Sequence, residues 1–305
     1  MKDINVQAQN KVTIIGKLLD FTPAEGTLSD GRHYERATAT IRVTQTYGGN
    51  EETSEVPISI FATQYTTTGK QNPAWTSLQA MKTMKTAQNV GIDEADTVRI
   101  TGANLQENNF ISRSGQLING WQIRTSFVNA TNIAETASFI LDIFIMDMHD
   151  EIDRNDEPTG RLVIKGGLVQ YGGKLDVLEF IVEQPEAVEF ISRNWEINNT
   201  VTVKGRIRVT SVEEKSAASE SSWGEDIPET STRFIRELII TKGDDEGKEE
   251  EFAYDPVEIK KAFNVRKANI EQMQEDAKNA AGRGTAKKAA SATPAAQTPN
   301  KYSWE

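Results

Sequence analysis

Cysteine is absent from the 305 residues. That removes disulfides, thiolate nucleophiles and cysteine metal sites together. Histidine is almost as scarce, since His33 and His149 are the whole supply, and nothing supports histidine-centred catalysis. No phosphate-cradling Gly-Lys-Ser/Thr loop and no dinucleotide glycine fingerprint occurs. No apolar run approaches the length that spans a bilayer, and the stretch Met1–Asn5 has no signal-peptide pattern. These gaps predict a cytoplasmic protein without cofactor, metal, catalysis or membrane attachment. Hydrophobic residues make up 37% and aromatics 7%, which suits small cores better than one large interior.

A surplus of positive charge is missing too. The net charge of −11 excludes a simple polycationic nucleic-acid binder. The first 136 residues are close to neutral, however, and the excess acid lies beyond them. An anionic ligand meets the first part of the chain with less long-range repulsion.

What is present is strand pattern, and one strand occurs twice. Asp96–Leu105 (Asp-Thr-Val-Arg-Ile-Thr-Gly-Ala-Asn-Leu) returns as Asn199–Arg208 (Asn-Thr-Val-Thr-Val-Lys-Gly-Arg-Ile-Arg). Val98 and Ile100, like Val201 and Val203, alternate with polar residues, the mark of a half-buried strand. Gly102 and Gly205 follow each run, where a strand bulges or bends. Leu105 falls out of phase with Val98 and Ile100, as a bulge at Gly102 requires.

Around the first copy the order is strand, strand, strand, helix, strand, strand. Lys11–Phe21 is a strand and Thr22–Gly31 a turn-rich loop. Glu35–Tyr47 sets Ala37, Ala39, Ile41 and Val43 against Thr38, Thr40, Arg42 and Thr44. Gly48-Gly49-Asn50 is a turn, and Glu55–Ala62 returns. Ala74–Lys85 is helical. The Asp96 strand, a polar loop over Asn108–Gly120 and the strand Trp121–Asn129 complete the unit. That order describes an OB-fold, a partly open five-stranded barrel. The second unit repeats it: strand Thr136–Met148, acidic loop Asp147–Glu157, a hairpin around Tyr171-Gly172-Gly173, helix Pro185–Asn194, the Asn199 strand, a polar insertion Val212–Thr232 and strand Arg233–Lys242.

The predicted fold is therefore mainly β: two small OB-fold-like barrels over 1–134 and 135–243, then a charged loop and amphipathic helix over 244–281. Asp255 and Pro256 start that helix, and Gly282 and Gly284 end it. Residues 282–305 form a flexible tail with the aromatic–acidic tip Tyr302, Trp304 and Glu305, suited to a partner pocket.

The candidate site is the outer face of the first barrel. Unpaired nucleic acid needs cations that follow the backbone and flat side chains that stack on bases, each stacked base being worth about 1–3 kcal/mol. Phe61 stacks, and Arg42, Arg99 and Arg124 meet phosphates. Tyr34, Arg36, Tyr47 and Arg113 stand at the rims. On the second barrel Lys204, Arg206 and Arg208 share one face; that row either lines a groove for phosphates or is neutralised by nearby acids. The acidic stretch Asp147–Glu157 lacks the glycine of a calcium loop and reads as a solvated charge run.

Asn10–Leu18, Ala37–Val43, Val56–Ala62 and Val98–Gly102 together resemble the strand sequence of single-stranded DNA-binding proteins, most closely the bacteriophage replication type. The resemblance implies sequence-tolerant binding of single-stranded DNA in replication or recombination, with replication or recombination proteins as partners through the tail. Self-association stays open. The competing expectation is an adaptor or structural protein whose barrels hold a protein partner.

Overall fold

The computed structural model describes residues 1–290 except 113, 154 and 216–229. The first unit runs β1 (Asn10–Thr27), β2 (His33–Tyr47), β3 (Asn50–Thr63), α1 (Pro73–Met81), α2 (Ala87–Val90), β4 (Thr97–Glu107), β5 (Phe110–Ile111), β6 (Leu117–Ile118), β7 (Trp121–Thr125) and β8 (Phe127–Ala130). Its strands close a ring in the order β1-β2-β3-β7-β4-β1. Every pairing is antiparallel except β3 with β7. The closure is the OB arrangement, and it leaves no free edge within the ring.

Alternation decides which side is filled. Ala37, Ala39, Ile41 and Val43 of β2 and Val56, Ile58, Ile60 and Ala62 of β3 are buried, and their neighbours face outward. Each fully buried Ile or Val contributes about 1.5–3 kcal/mol. Gly102 has φ +66°, and the β1–β4 register slips across it, with Ile14 opposite Ile100 but Val12 opposite Ala103. The bulge restores Ala103 and Leu105 to the core.

The second unit is built from β9 (Thr136–Ile152), β10 (Pro158–Val169), β11 (Leu175–Val182), α3 (Pro185–Asn194), β12 (Thr200–Lys215) and β13 (Thr230–Gly243). It closes as β9-β10-β11-β13-β12-β9, again with one parallel pair, β11 with β13.

The two rings are joined edge to edge. β1 pairs with β9 from Asn10 opposite Leu141 to Ile15 opposite Thr136, so one hydrophobic cluster runs through both interiors. The Asn10 side chain donates to the Leu105 carbonyl (2.8 Å) and accepts from its N–H (2.9 Å). Gln170 donates to the same carbonyl at 3.0 Å and to Asp176 at 3.0 Å. This buried polar knot has partners for its donors, as a low-dielectric site demands. α4 (Pro256–Ala290) docks across it: Ile259 is buried, and Arg266 grips Glu107, with Nε donating at 2.8 Å.

The structure departs from the sequence expectation in several elements. The polar loop Asn108–Gly120 carries the hairpin β5–β6, and the strand over Trp121–Asn129 is split into β7 and β8. Three further segments change character. Thr22–Thr27 is strand rather than loop, because β1 stays paired with β2 out to Thr27 opposite His33. The acidic stretch is a hairpin, since β9 continues to Ile152 and β10 begins at Pro158. The helix α4 runs past Gly282 and Gly284 to Ala290. Ala, Arg and Lys around those glycines are strong helix formers, and each glycine costs only about 1 kcal/mol. The tail beyond residue 290, with Tyr302, Trp304 and Glu305, lies outside the described residues. No helix among the described residues is long and apolar enough to cross a membrane.

Candidate nucleic-acid interface

Because β2 and β3 pair over their whole length, their outward residues form facing rows. Arg36 stands opposite Phe61, Thr38 opposite Ser59, Thr40 opposite Pro57, and Arg42 opposite Glu55. On the far side of β3, Ser59 is level with Arg124 of β7, and Arg124 with Asn104 of β4. The extended β1–β2 arm rises beside this floor. The result is a groove of about 1040 Å³ lined by Tyr34, Arg36, Ser59, Phe61, Asn104 and Arg124, with Thr22–Ser29 contributing its wall.

The groove holds an aromatic platform. Phe61 is 49% exposed, and the Tyr34 ring lies 5.4 Å from it at an interplanar angle of 31°. Tyr34 reaches this position because Gly26 lets it lie on the opposite strand. A Cβ at Gly26 would sit 2.5 Å from the Tyr34 hydroxyl. The exposed guanidinium groups of Arg36 and Arg124 have no carboxylate partner among the described residues. An aromatic pair flanked by uncompensated cations suits a chain of stacked bases joined by phosphates.

The other expected residues are dispersed. Arg42 is on the same face but farther along, donating to Glu55 at 2.7 Å. Arg99 is exposed on β4 before the Gly102 bulge, beside β8, and does not line the groove. Arg113 lies outside the described residues. Tyr47 is covered by Arg206, whose guanidinium sits 4.3 Å from the ring centroid. Lys204 is exposed and directly across from Lys242.

Arg206 and Arg208 point into an ion-pair network between the barrels. Arg206, only 5% exposed, bonds Glu52 at 2.5 Å and also Glu183. Arg208 bonds Glu52 (3.0 Å), Glu183 (3.1 Å) and Glu237 (2.8 Å). Here acids neutralise two members of the basic row, and the arginines fasten the tip of the β2–β3 hairpin to the second barrel.

Burial pushes the Glu183 carboxyl up, but the hydrogen bond and charge of Arg206, followed by those of Arg208, outweigh it, leaving the group below its ordinary 4.5. A carboxylate depressed by folding stabilises above its unfolded pKa and loses that contribution as pH falls through the folded value. Stability is therefore expected to fall below about pH 4.5. Arg206→Ala should flatten that acid limb and cost about 2 kcal/mol near neutrality. Urea unfolding of both proteins across pH 3–7 measures both effects; an unchanged acid limb would show that the pair does not form.

Two residues that the sequence reading left out of the site stand next to the groove. Phe234 and Arg236 project from β13 beside β3 and β7. Alternation puts them in phase with the core residues Leu238 and Ile240, yet Phe234 is exposed, and nothing local places them beside the first barrel.

The YorF family model matches residues 8–276. No curated protein matches the chain by sequence. Among solved structures, the wild-type single-stranded DNA binding protein of Thermus aquaticus superposes with a TM-score of 0.50 at 13% identity, over 82% of this chain and 98% of that one. A deletion variant of that protein gives 0.47 at 14% identity, over 82% and 98%. At these identities the likeness with the wild-type protein is one of fold.

Proposed function

The chain belongs to the YorF family, and we propose that it binds single-stranded DNA without sequence preference, along the groove of the first barrel, in replication or recombination. The reading is supported above all by one juxtaposition: the Tyr34–Phe61 platform lies between Arg36 and Arg124, neither held by an acid among the described residues. The shared fold with a single-stranded DNA binding protein is consistent with it, as is the sequence resemblance to phage replication proteins. Stacking on a π-face tolerates any base, while the cations attract the backbone. The site binds and shields the strand and performs no chemistry on it.

The test is titration of the full chain with fluorescent oligo-dT and with duplex of equal length, at low and high salt. Binding to oligo-dT that weakens steeply with salt, against weak duplex binding, is expected. Equal binding to duplex, or a nuclease-resistant protein complex from a chain that ignores oligo-dT, would overturn the proposal in favour of an adaptor.

A further inference from the structure

The groove does not end at the first barrel. Past Thr38 and Ser59 the facing rows continue as Thr40 and Pro57, and these open into a second cleft of about 750 Å³ between the barrels. Its far wall is β12 and β13, through Val209, Thr210, Phe234 and Arg236. Phe234 is 68% exposed, one of the most open aromatic side chains among the described residues. Arg236 crosses to the first barrel: its guanidinium lies 4.3 Å from the Trp121 ring centroid and donates to the Trp121 carbonyl at 2.9 Å. Partial burial there holds Arg236 below the usual arginine range, and no carboxylate among the described residues offsets it. The one acid lining the cleft among the described residues, Glu55, is occupied by Arg42. A cation that has lost part of its water without gaining a counter-charge favours an anion at the open side of the cleft.

We infer that a strand leaving the Tyr34–Phe61 platform continues across β3 into the inter-barrel cleft, where Phe234 stacks on a further base and Arg236 meets a phosphate. This rests on the binding proposed above and extends it to the second barrel. The geometry repeats the first site, with an aromatic and an uncompensated guanidinium two residues apart on one strand. Phe234 and Arg236 thus form a second contact point, and the footprint is longer than one barrel provides.

A length series separates this inference from the reading it rests on. Oligo-dT of roughly 6 and 20 nucleotides brackets the site size of a single barrel. Phe234→Ala is expected to weaken the longer oligomer by about 5- to 150-fold, the range of one lost stack, and to leave the shorter one unchanged. Phe61→Ala should weaken both, and Phe234→Trp should restore the longer. If Phe61→Ala behaves so while Phe234→Ala leaves the longer oligomer unaffected, or weakens both lengths alike, the path is overturned and the first site stands. If the unaltered chain binds neither oligomer, both fall.

Discussion

Phe61→Ala lowers affinity for oligo-dT by about 1–3 kcal/mol, a 5- to 150-fold loss, with the slope of log K against log salt unchanged. The combined change Arg36→Ala and Arg124→Ala does something different. It removes two phosphate contacts, so the slope flattens by roughly 1.4, at about 0.7 per contact for a single strand. The distinction follows from where the side chains are. Phe61 offers an apolar face and releases no counterions. Arg36 and Arg124 lie open to solvent without acid partners among the described residues, so their charge is available to a ligand. Arg42→Ala is the internal control. It stands on the same face, but Glu55 already holds it at 2.7 Å, so it should alter the slope less than either free arginine. Equilibrium titration at four or five salt concentrations yields both quantities. A Phe61 variant that changes the slope, or an arginine pair that leaves it untouched, would show that the groove does not engage DNA in this way. Neither substitution touches the core, so loss of folding does not obscure the result.

The floor of this groove was legible in the sequence because strand alternation is a local signal. Ala37–Val43 and Val56–Ala62 alternate without interruption, and that phase puts Arg42 and Phe61 on one face, with Arg36 expected at its rim. The helix over Pro185–Asn194 and the turn at Tyr171–Gly173 were legible for the same reason. The groove's wall was not. Thr22–Thr27 contains Pro, Gly and Thr and reads as turn, yet β2 holds it as strand through ladder bonds to partners up to sixteen positions away. Longer-range pairings leave no local trace at all. The seam between β1 and β9 joins residues more than a hundred positions apart. Arg206 meets Glu52 across 154 positions, so the sequence showed a basic row but not which acids would neutralise it. Phe234 and Arg236 were overlooked on the same ground: alternation puts them in phase with the buried Leu238 and Ile240, and their neighbour across the cleft left no local trace.

Gly205→Ala should be the most damaging single methyl addition in the repeated strand. Gly102 and Gly205 occupy equivalent places in the two copies, and the sequence offers one explanation for both. The structure separates them. Gly102 has φ +66° with nothing within 4 Å of a built Cβ, so Gly102→Ala costs only the left-handed backbone penalty of about 1–2 kcal/mol. At Gly205 no positive φ is involved, yet a Cβ would lie 2.1 Å from the Ile239 carbonyl oxygen and 2.2 Å from the Phe139 ring. The ring is wedged in the core, 5.9 Å from Phe180. The carbonyl belongs to β13, at the point where the β12–β13 register shifts. Neither can retreat without opening the ladder or expelling an aromatic. A cost of about 3 kcal/mol or more is expected, which lowers the melting temperature by roughly 10 °C. The first barrel makes its equivalent close approach elsewhere, at Gly16, where a Cβ would meet the Arg42 carbonyl at 2.2 Å. Gly16→Ala should therefore resemble Gly205→Ala, and Gly102→Ala should be the mild one of the three. Calorimetry on the three variants decides it, and a Gly102 variant at least as unstable as the other two would mean that backbone conformation, not contact between strands, fixes glycine in this repeat.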